Sequence, residues 1–206
     1  MKKNIQGIHI LLSASSVNGR SPEELTRIAV DGGASVIQLR EKQMPMDELL
    51  PIAKKMRAIS RDITFIVNDR ADLAKIIEAD GVHLGQDDLP IEYAREILGD
   101  NAIIGISCGS LAEGEEAERN GTDYIGFGHM FPTVSKVKTS SPKSEEELRI
   151  ISSGMKIPVI VIGGITVDNA LPLLKSGADG IAILSAFSQS KNPKSVIKIL
   201  SDISWK

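Results

Sequence analysis

Short apolar segments alternate with amphipathic segments along the chain, and this alternation restricts the folds available to it. Eight segments rich in β-branched residues predict buried parallel strands; they are residues 7–13, 35–40, 64–68, 81–85, 102–107, 123–128, 158–163 and 180–185. Eight segments of helical period separate or follow them. Strand–helix alternation implies a parallel sheet with right-handed crossovers. Eight such units predict an α/β fold, a (β/α)8 TIM barrel forming a single domain over residues 1–206.

Local signals mark where several helices begin and end. Ser21 and Asn192 each precede a proline, which predicts a capping side chain followed by proline at the first helical position. Gly121 and Gly177 follow helical segments and suit the left-handed conformation that often ends a helix. A doubly wound open sheet is the rival fold, but residues 14–18 after the first strand lack its glycine-rich fingerprint.

Composition excludes several classes of function. The chain has four Phe, two Tyr, one Trp and a net charge of −3, whereas proteins that bind single-stranded nucleic acid need aromatic surfaces and a basic groove. The single cysteine, Cys108, rules out disulfides and thiolate zinc sites, fits a reducing compartment and is expected to be a packing residue. The apolar run at residues 8–12 is far shorter than the about 20 residues that cross a bilayer. We therefore expect a cytoplasmic protein that acts on small molecules and binds neither nucleic acid nor a membrane; the sequence leaves open whether it forms a homo-oligomer.

Residues at the carboxyl ends of the strands are the candidates for function, because the active site of a TIM barrel lies there. Gly163 and Gly164 follow strand seven and Ser185 follows strand eight, the usual position for a bound phosphate monoester. The hydroxyls of Thr133 and Ser135 can donate to the same anion. The alternative is that the two glycines only form a tight turn between strand and helix.

Positive side chains indicate a second anion site. Arg40, Lys42 and Lys136 fall at predicted strand ends or in the loops after them, and such a group suits a pyrophosphate. Each could equally be an ordinary solvated charge. Asp69 and Asp88 supply carboxylates that Mg²⁺ prefers beside substrate phosphates and water, although the aspartate at position 88 could instead cap the next helix.

Asn68, next to Asp69, adds a neutral donor and acceptor suited to a phosphate oxygen or a ring amine. The two anion sites together predict that one phosphate and one pyrophosphate–metal unit bind across the mouth of the barrel. Such an arrangement implies that a phosphorylated partner displaces pyrophosphate. The residues alone name neither organic group.

Seven motifs in these regions resemble the thiamin phosphate synthase family. They are QLREK at 38–42, NDR at 68–70, VHLGQDDLP at 82–90, GIS at 105–107, PTVSK at 132–136, IGGI at 162–165 and GADGIAILSA at 177–186. They occur in the family's order. VHLGQ followed by an acidic pair is specific, whereas IGGI is common among phosphate-binding barrels.

The resemblance implies a magnesium-dependent transferase that condenses hydroxymethylpyrimidine diphosphate with a thiazole phosphate, giving thiamin phosphate and pyrophosphate. It implies that Asp69 and Asp88 bind the metal. The residues it assigns to the pyrimidine diphosphate are Gln38, Leu39, Arg40, Glu41, Lys42, Asn68, Ser107 and Lys136. Those it assigns to the thiazole phosphate are Thr133, Val134, Ser135, Gly164, Leu184 and Ser185. It also implies a dissociative reaction in which pyrophosphate departs first; the expected catalytic residues are Arg40, Lys42, Ser107 and Lys136.

Position 129 departs from the family's pattern, since Gly128-His129 stands where the family usually has Gly-Pro. A Gly-His pair there resembles the related thiazole tautomerase, whose histidine would act as an acid–base catalyst because its pKa lies near neutrality. The alternative function is therefore a thiazole tautomerase with His129 as catalytic residue. That relative is expected to lack the Asn-Asp pair and the acidic motif that this chain has. His129 could also simply hydrogen-bond a loop.

The shortage of aromatic residues also bears on these ligands. The pyrimidine and thiazole rings implied by the resemblance have few stacking partners, and Phe131 is the nearest candidate. We therefore expect the phosphate groups to carry most of the binding. The loop at residues 138–144 lacks a glycine that usually precedes the next helix, so its closure on substrate is left open.

Overall fold

Eight parallel strands close into a barrel in the computed structural model, which describes residues 3–133 and 141–203. The strands pair in chain order, and the last strand closes the barrel by pairing with the first. They are β1 (Gly7–Leu12), β2 (Val36–Leu39), β3 (Thr64–Asn68), β4 (Gly81–Leu84), β5 (Ile103–Cys108), β6 (Tyr124–Gly128), β7 (Val159–Ile162) and β8 (Gly180–Ile183). The predicted TIM barrel is confirmed, and each predicted strand ends within about two residues of the observed one.

Helices cover the outside of the barrel and connect its strands. They are α1 (Pro22–Asp31), α2 (Met46–Ile59), α3 (Ala71–Ile76), α4 (Ile91–Leu98), α5 (Leu111–Arg119), α6 (Glu145–Gly154), α7 (Ala170–Lys175), α8 (Ser185–Ser188) and α9 (Pro193–Ser201). The sequence analysis missed α8, because four residues are too few to show a helical period. Within the described ranges, none of these helices is both long and apolar enough to span a membrane.

Capping side chains begin two helices as predicted. The side chain of Ser21 accepts a hydrogen bond from the backbone N–H of Glu24, and that of Asn192 accepts one from Ser195. In both helices proline follows the cap directly, where a missing N–H costs nothing. Beyond the end of α5, Gly121 has a φ of 83°, which confirms the predicted left-handed residue.

Two layers of apolar side chains form the core, because alternate residues of a strand point to opposite faces. The larger layer lies between strands and helices and includes Leu39 and Cys108, so the cysteine packs there as predicted. A smaller cluster fills the barrel interior; it consists of Leu11, Val36, Ile66, Ile103, Tyr124, Ile160 and Ala182.

Three aspartates join neighbouring strands at the amino-terminal end of the barrel. Asp179 directly precedes β8, and its carboxylate accepts a hydrogen bond of 2.9 Å from the backbone N–H of Val159 at the start of β7. The corresponding pairs are Asp80 with Phe65 at 2.8 Å and Asp123 with Ile104 at 2.8 Å. They join β3 to β4 and β5 to β6. Ser35 holds the same position before β2.

Candidate active site

A cavity of about 330 Å³ opens at the carboxyl ends of the strands. This is the end of the barrel at which TIM-barrel active sites lie. The structure brings most of the predicted site residues together around it; those among its lining residues are Gln38, Arg40, Lys42, Asn68, Asp69, Asp88, Ser107, His129, Thr133, Gly164, Leu184 and Ser185. Val134, Ser135 and Lys136 lie outside the described residues, as do residues 138–140.

Leu39 and Glu41 are predicted substrate residues that are not among those lining the cavity. The Leu39 side chain is buried in the layer between strands and helices. The Glu41 carboxylate accepts hydrogen bonds from the Ser13 hydroxyl at 2.7 Å and from the backbone N–H groups of Lys42 and Gln43. Glu41 therefore shapes the loop that carries Lys42, and a substrate contact for either residue stays a prediction.

Cationic and acidic side chains meet on one side of the cavity. The ammonium of Lys42 lies 4.0 Å from the carboxylate of Asp69. Burial and a hydrogen bond with the carboxyl of Asp88 raise the pKa of Asp69 to about 6, while the charges of Lys42 and Arg40 act against this rise. The cavity wall therefore holds two carboxyl groups in contact, with positive charge close by.

Local backbone geometry places both of these carboxyl groups. Asp69 has a φ of 62°, a left-handed conformation that few residues other than glycine adopt. Asp88 accepts a hydrogen bond of 2.6 Å from the backbone N–H of Gly85, and the following helix begins only at Ile91 with Pro90 as its N-cap. The alternative that Asp88 caps this helix is therefore wrong.

The Asp69–Asp88 pair suits Mg²⁺ as a donor set, since this cation takes one or two protein carboxylates beside phosphate oxygens and water. Across the described part of the chain, no group of three or more His, Cys, Asp or Glu side chains is placed to hold a metal ion. A cation bound by this pair would therefore take its other ligands from substrate and solvent.

Gly163 and Gly164 form a tight turn on the far side of the cavity, with φ values of 101° and 66°. A Cβ atom on Gly163 would lie 2.3 Å from the Cβ of His129, and one on Gly164 would lie 2.6 Å from the carbonyl oxygen of Pro132. The turn explanation for these glycines is therefore correct. The same turn also lines the cavity beside Ser185, and phosphate binding there stays a prediction.

The short helix α8 follows β8 and begins at the cavity, and hydrogen bonds join the segment after it to the loop after β1. The Arg20 guanidinium donates to the carbonyl oxygens of residues 190 and 191 at 3.2 and 2.8 Å. The Asn18 amide donates to the carbonyl oxygen of residue 189 at 2.9 Å. These bonds hold the segment that directly follows α8 against the loop after β1.

Polar side chains at the floor of the cavity form what we call the polar row, consisting of Gln38, Tyr124, His83 and Ser107. Nδ1 of His83 lies 3.0 Å from the hydroxyl of Tyr124, and Nε2 lies 3.0 Å from that of Ser107. The Gln38 side chain lies beside the Tyr124 hydroxyl and acts to lower its pKa, against the rise caused by burial. Burial lowers the pKa of His83 to about 4, so its imidazole is neutral at pH 7.

Sequence reasoning did not assign His83 or Tyr124 to the site. His83 lies within the VHLGQ motif, which was a signal for it, but Tyr124 meets it only through the register of β4, β5 and β6. His9, also missed, is a buried neighbour whose ring lies 5.7 Å from that of Tyr124 in an edge-on arrangement. Burial lowers the pKa of His9 to about 4 as well.

His129 is buried, with 5% of its surface exposed, and lines the cavity. It follows a cis peptide bond after Gly128. Its carbonyl oxygen accepts a hydrogen bond of 2.7 Å from the backbone N–H of Lys143. The backbone of His129 therefore joins the loop after β6 to the segment before α6, while the role of its imidazole stays a prediction.

Comparisons with known proteins point to one family. The family model described as thiamine monophosphate synthase matches residues 9–187. The chain is 45% identical to the thiamine-phosphate synthase of Moorella thermoacetica over 181 residues, which is 87% of this chain and 86% of that protein. It is 46% identical to the thiamine-phosphate synthase of Chlorobium luteolum over 185 residues, covering 89% of this chain and 87% of that protein.

Solved structures show the same likeness. Thiamine phosphate pyrophosphorylase from Pyrococcus furiosus matches with a TM-score of 0.84 and 41% identity, covering 95% of this chain and 94% of that one. (S)-3-O-geranylgeranylglyceryl phosphate synthase from Thermoplasma acidophilum, at 17% identity and a TM-score of 0.68, shares the fold. The chain therefore belongs to the thiamine monophosphate synthase family, a family of transferases.

Proposed function

We propose that this thiamine-phosphate synthase condenses hydroxymethylpyrimidine diphosphate with a thiazole phosphate in the cavity, with Mg²⁺ held by Asp69 and Asp88. The observation that carries the proposal is the division of the cavity wall into two anion-binding sides. Cations and the acidic pair follow β2, β3 and β4, whereas the glycine turn and α8 follow β7 and β8. In a closed barrel of eight strands β3 and β7 lie opposite each other, so a diphosphate and a phosphate can face one another across the cavity.

The diphosphate side would bind and stabilise the leaving group. Arg40 and Lys42 place positive charge where negative charge develops as pyrophosphate departs, and Asn68 and Ser107 add neutral donors. When bound, Mg²⁺ would neutralise charge on the diphosphate oxygens. Catalysis of this kind depends on positioning and electrostatics more than on a general base. Lys136 is proposed to add a further charge on this side.

The phosphate side would hold the second substrate through backbone N–H groups and hydroxyls. Gly164 and Ser185 line the cavity at the turn after β7 and the start of α8, and Thr133 reaches the same wall. Close approach of a phosphate is possible here because Gly164 has no side chain. This arrangement would orient the thiazole nitrogen toward the pyrimidine methylene carbon. A biosynthetic reaction on such small phosphorylated molecules supports a cytoplasmic location.

The test is the formation of thiamin phosphate and pyrophosphate from the two substrates in the presence of Mg²⁺. Asp69→Ala is expected to abolish turnover, while Asp100→Ala, on an exposed turn far from the cavity, should leave it unchanged. If the mixture gives no thiamin phosphate and the enzyme instead interconverts thiazole isomers, the proposal is wrong and His129 becomes the catalyst. His129→Asn should have little effect on a synthase and eliminate a tautomerase.

A further inference from the structure

The polar row crosses three neighbouring strands at the floor of the cavity. His83 lies on β4, Ser107 on β5 and Tyr124 on β6, with Gln38 on β2 completing the row. We propose that Tyr124 and His83 are positioning residues that fix the Ser107 hydroxyl as a hydrogen-bond donor into the cavity, toward the diphosphate substrate. This inference rests on the proposed function.

Two glycines provide the space for the rings of the row. A Cβ atom on Gly105 would lie 2.2 Å from Cζ of Tyr124, and one on Gly126 would lie 2.9 Å from Cε1 of His83. Both glycines are on strands, so the requirement is space rather than a left-handed backbone. The rings of Tyr124 and His83 therefore fit at the floor of the cavity because Gly105 and Gly126 have no side chains.

The donor and the acceptor of each hydrogen bond in the polar row follow from the N–H and O–H groups that each side chain carries. Burial raises the pKa of Tyr124, so its hydroxyl keeps its proton. Nδ1 of His83 lies 3.0 Å from the Tyr124 hydroxyl, so we assign this hydroxyl as the donor to Nδ1. A neutral imidazole has one N–H, which then lies on Nε2 and donates to the oxygen of Ser107.

Because Ser107 accepts the hydrogen bond from His83, its own hydroxyl proton remains available for donation. The Ser107 side chain is exposed to the cavity. The amide of Gln86 donates to the backbone carbonyl oxygen of Ser107 at 2.6 Å, so the residue is held at two points. An imidazole with a pKa of about 4 is too weak a base to make this serine a nucleophile. A fixed donor aimed at a departing anion is the role that this arrangement supports, because such donors stabilise charge that develops in the transition state.

The first test reads the tautomer of His83 directly, in substrate-free protein labelled with ¹⁵N-histidine. The chain has three histidines, so the ring signals of His83 can be assigned from a His83→Gln variant. We expect a neutral ring at pH 7.5 with a protonated Nε2 and an unprotonated Nδ1. Tyr124→Phe should remove this preference and give a mixture of tautomers. A ring protonated on Nδ1 would overturn the inference.

The second test asks whether His83 acts through Ser107. We expect His83→Leu and Ser107→Ala each to lower kcat about 10- to 100-fold, with the KM of the thiazole phosphate unchanged. The double variant should be no slower than Ser107→Ala, because the two residues form one unit. Losses that multiply would contradict the inference.

Two further variants separate positioning from folding. His83→Gln keeps an N–H near the place of Nε2 and should recover part of the lost kcat, and Tyr124→Phe should lower kcat several-fold. Cys108→Ala, next to Ser107 but facing the outer core layer, is the matched control and should leave kcat unchanged. If the wild-type protein makes no thiamin phosphate, the proposed function fails, whereas the NMR measurement still decides the tautomer.

Discussion

The carboxyl groups of Asp69 and Asp88 share a hydrogen bond at the wall of the cavity, although both would be charged if they were free in water. Their contact, together with burial, makes the ionised form of Asp69 unfavourable in the substrate-free protein. The pair therefore links the stability of the fold to the charge of the active site.

Asp69→Asn is expected to stabilise the metal-free protein near neutral pH. The folded-state pKa of about 6 lies above the ordinary value of 3.8, so the native state binds more protons between these values and stability falls as pH rises through them. Asparagine cannot ionise and tolerates the left-handed backbone. Urea unfolding should show a gain of roughly 1 kcal/mol at pH 7.5, reduced by solvent screening, and almost none near pH 4. An equal gain at both pH values would contradict this explanation.

Binding of Mg²⁺ to the acidic pair should weaken as the solution is acidified. A proton on Asp69 competes with the cation, and its pKa of about 6 sets the pH at which competition begins. We expect affinity to fall about tenfold between pH 7 and pH 5, with proton uptake on metal release. Calorimetry with Mg²⁺ alone, in buffers of different ionisation enthalpy, measures both. The Asp69→Asn variant is the control, and its weaker binding should lose this dependence on pH.

Phosphate groups should contribute more to ligand binding than the rings do. Among the described residues that line the cavity, Tyr124 is the only Phe, Tyr or Trp, and the polar row holds it at the floor. Phe131, the predicted stacking candidate, is not among them. Removing the phosphate from the thiazole substrate should therefore weaken binding about 100-fold or more, since charge-assisted hydrogen bonds are lost. Similar calorimetric affinities for the two forms would contradict the prediction.

Arg20→Ala should weaken binding of the phosphate substrate without contact between Arg20 and the ligand. Arg20 holds the segment that follows α8, and the first residue of this short helix is Ser185 at the cavity. Freeing that segment lets the start of the helix move, so we expect the KM for the thiazole phosphate to rise about 3- to 10-fold and kcat to change less. Arg27→Ala, exposed on α1, is the control. A rise in the KM for the diphosphate alone would argue against this role.

Asp179→Ala should destabilise the barrel. The substitution leaves the backbone N–H of Val159 without its carboxylate partner, which we expect to cost about 1–2 kcal/mol of unfolding free energy. Asp202→Ala, an exposed position at the end of α9, should change stability by about 0.5 kcal/mol or less. Urea denaturation of the two variants at pH 7.5 makes the comparison, and equal stabilities would contradict the assigned role.

The sequence predicted the barrel well because its strands are short, apolar and separated by helices with recognisable caps such as Ser21 and Asn192. The site residues at strand ends could also be predicted, since the fold itself brings those ends together. Arg40, Lys42, Asp69 and Asp88 all meet at the cavity as expected, although they follow three different strands.

Contacts that depend on cross-strand register could not be predicted in the same way. His83 and Tyr124 are 41 residues apart, and only the pairing of β4, β5 and β6 brings them within hydrogen-bond distance. The close approach of the Tyr124 ring to Gly105 and of the His83 ring to Gly126 likewise depends on this register. The left-handed backbone of Asp69 gave no signal, because aspartate is not a residue that requires it.

The aspartate bonds at the strand starts join six of the eight strands in pairs. They join β3 to β4, β5 to β6 and β7 to β8, and none of the three crosses from β4 to β5. The residues proposed for the diphosphate and its metal come before β5 in the chain, apart from Ser107 and Lys136. Those proposed for the phosphate all come after β5. The residues proposed for the two substrates thus fall largely in opposite halves of the chain. Two chains cut in the turn after α4 would keep these three bonds but separate Arg95 from Asp123, which lie 3.2 Å apart, and their reassembly would bring His83 and Ser107 together.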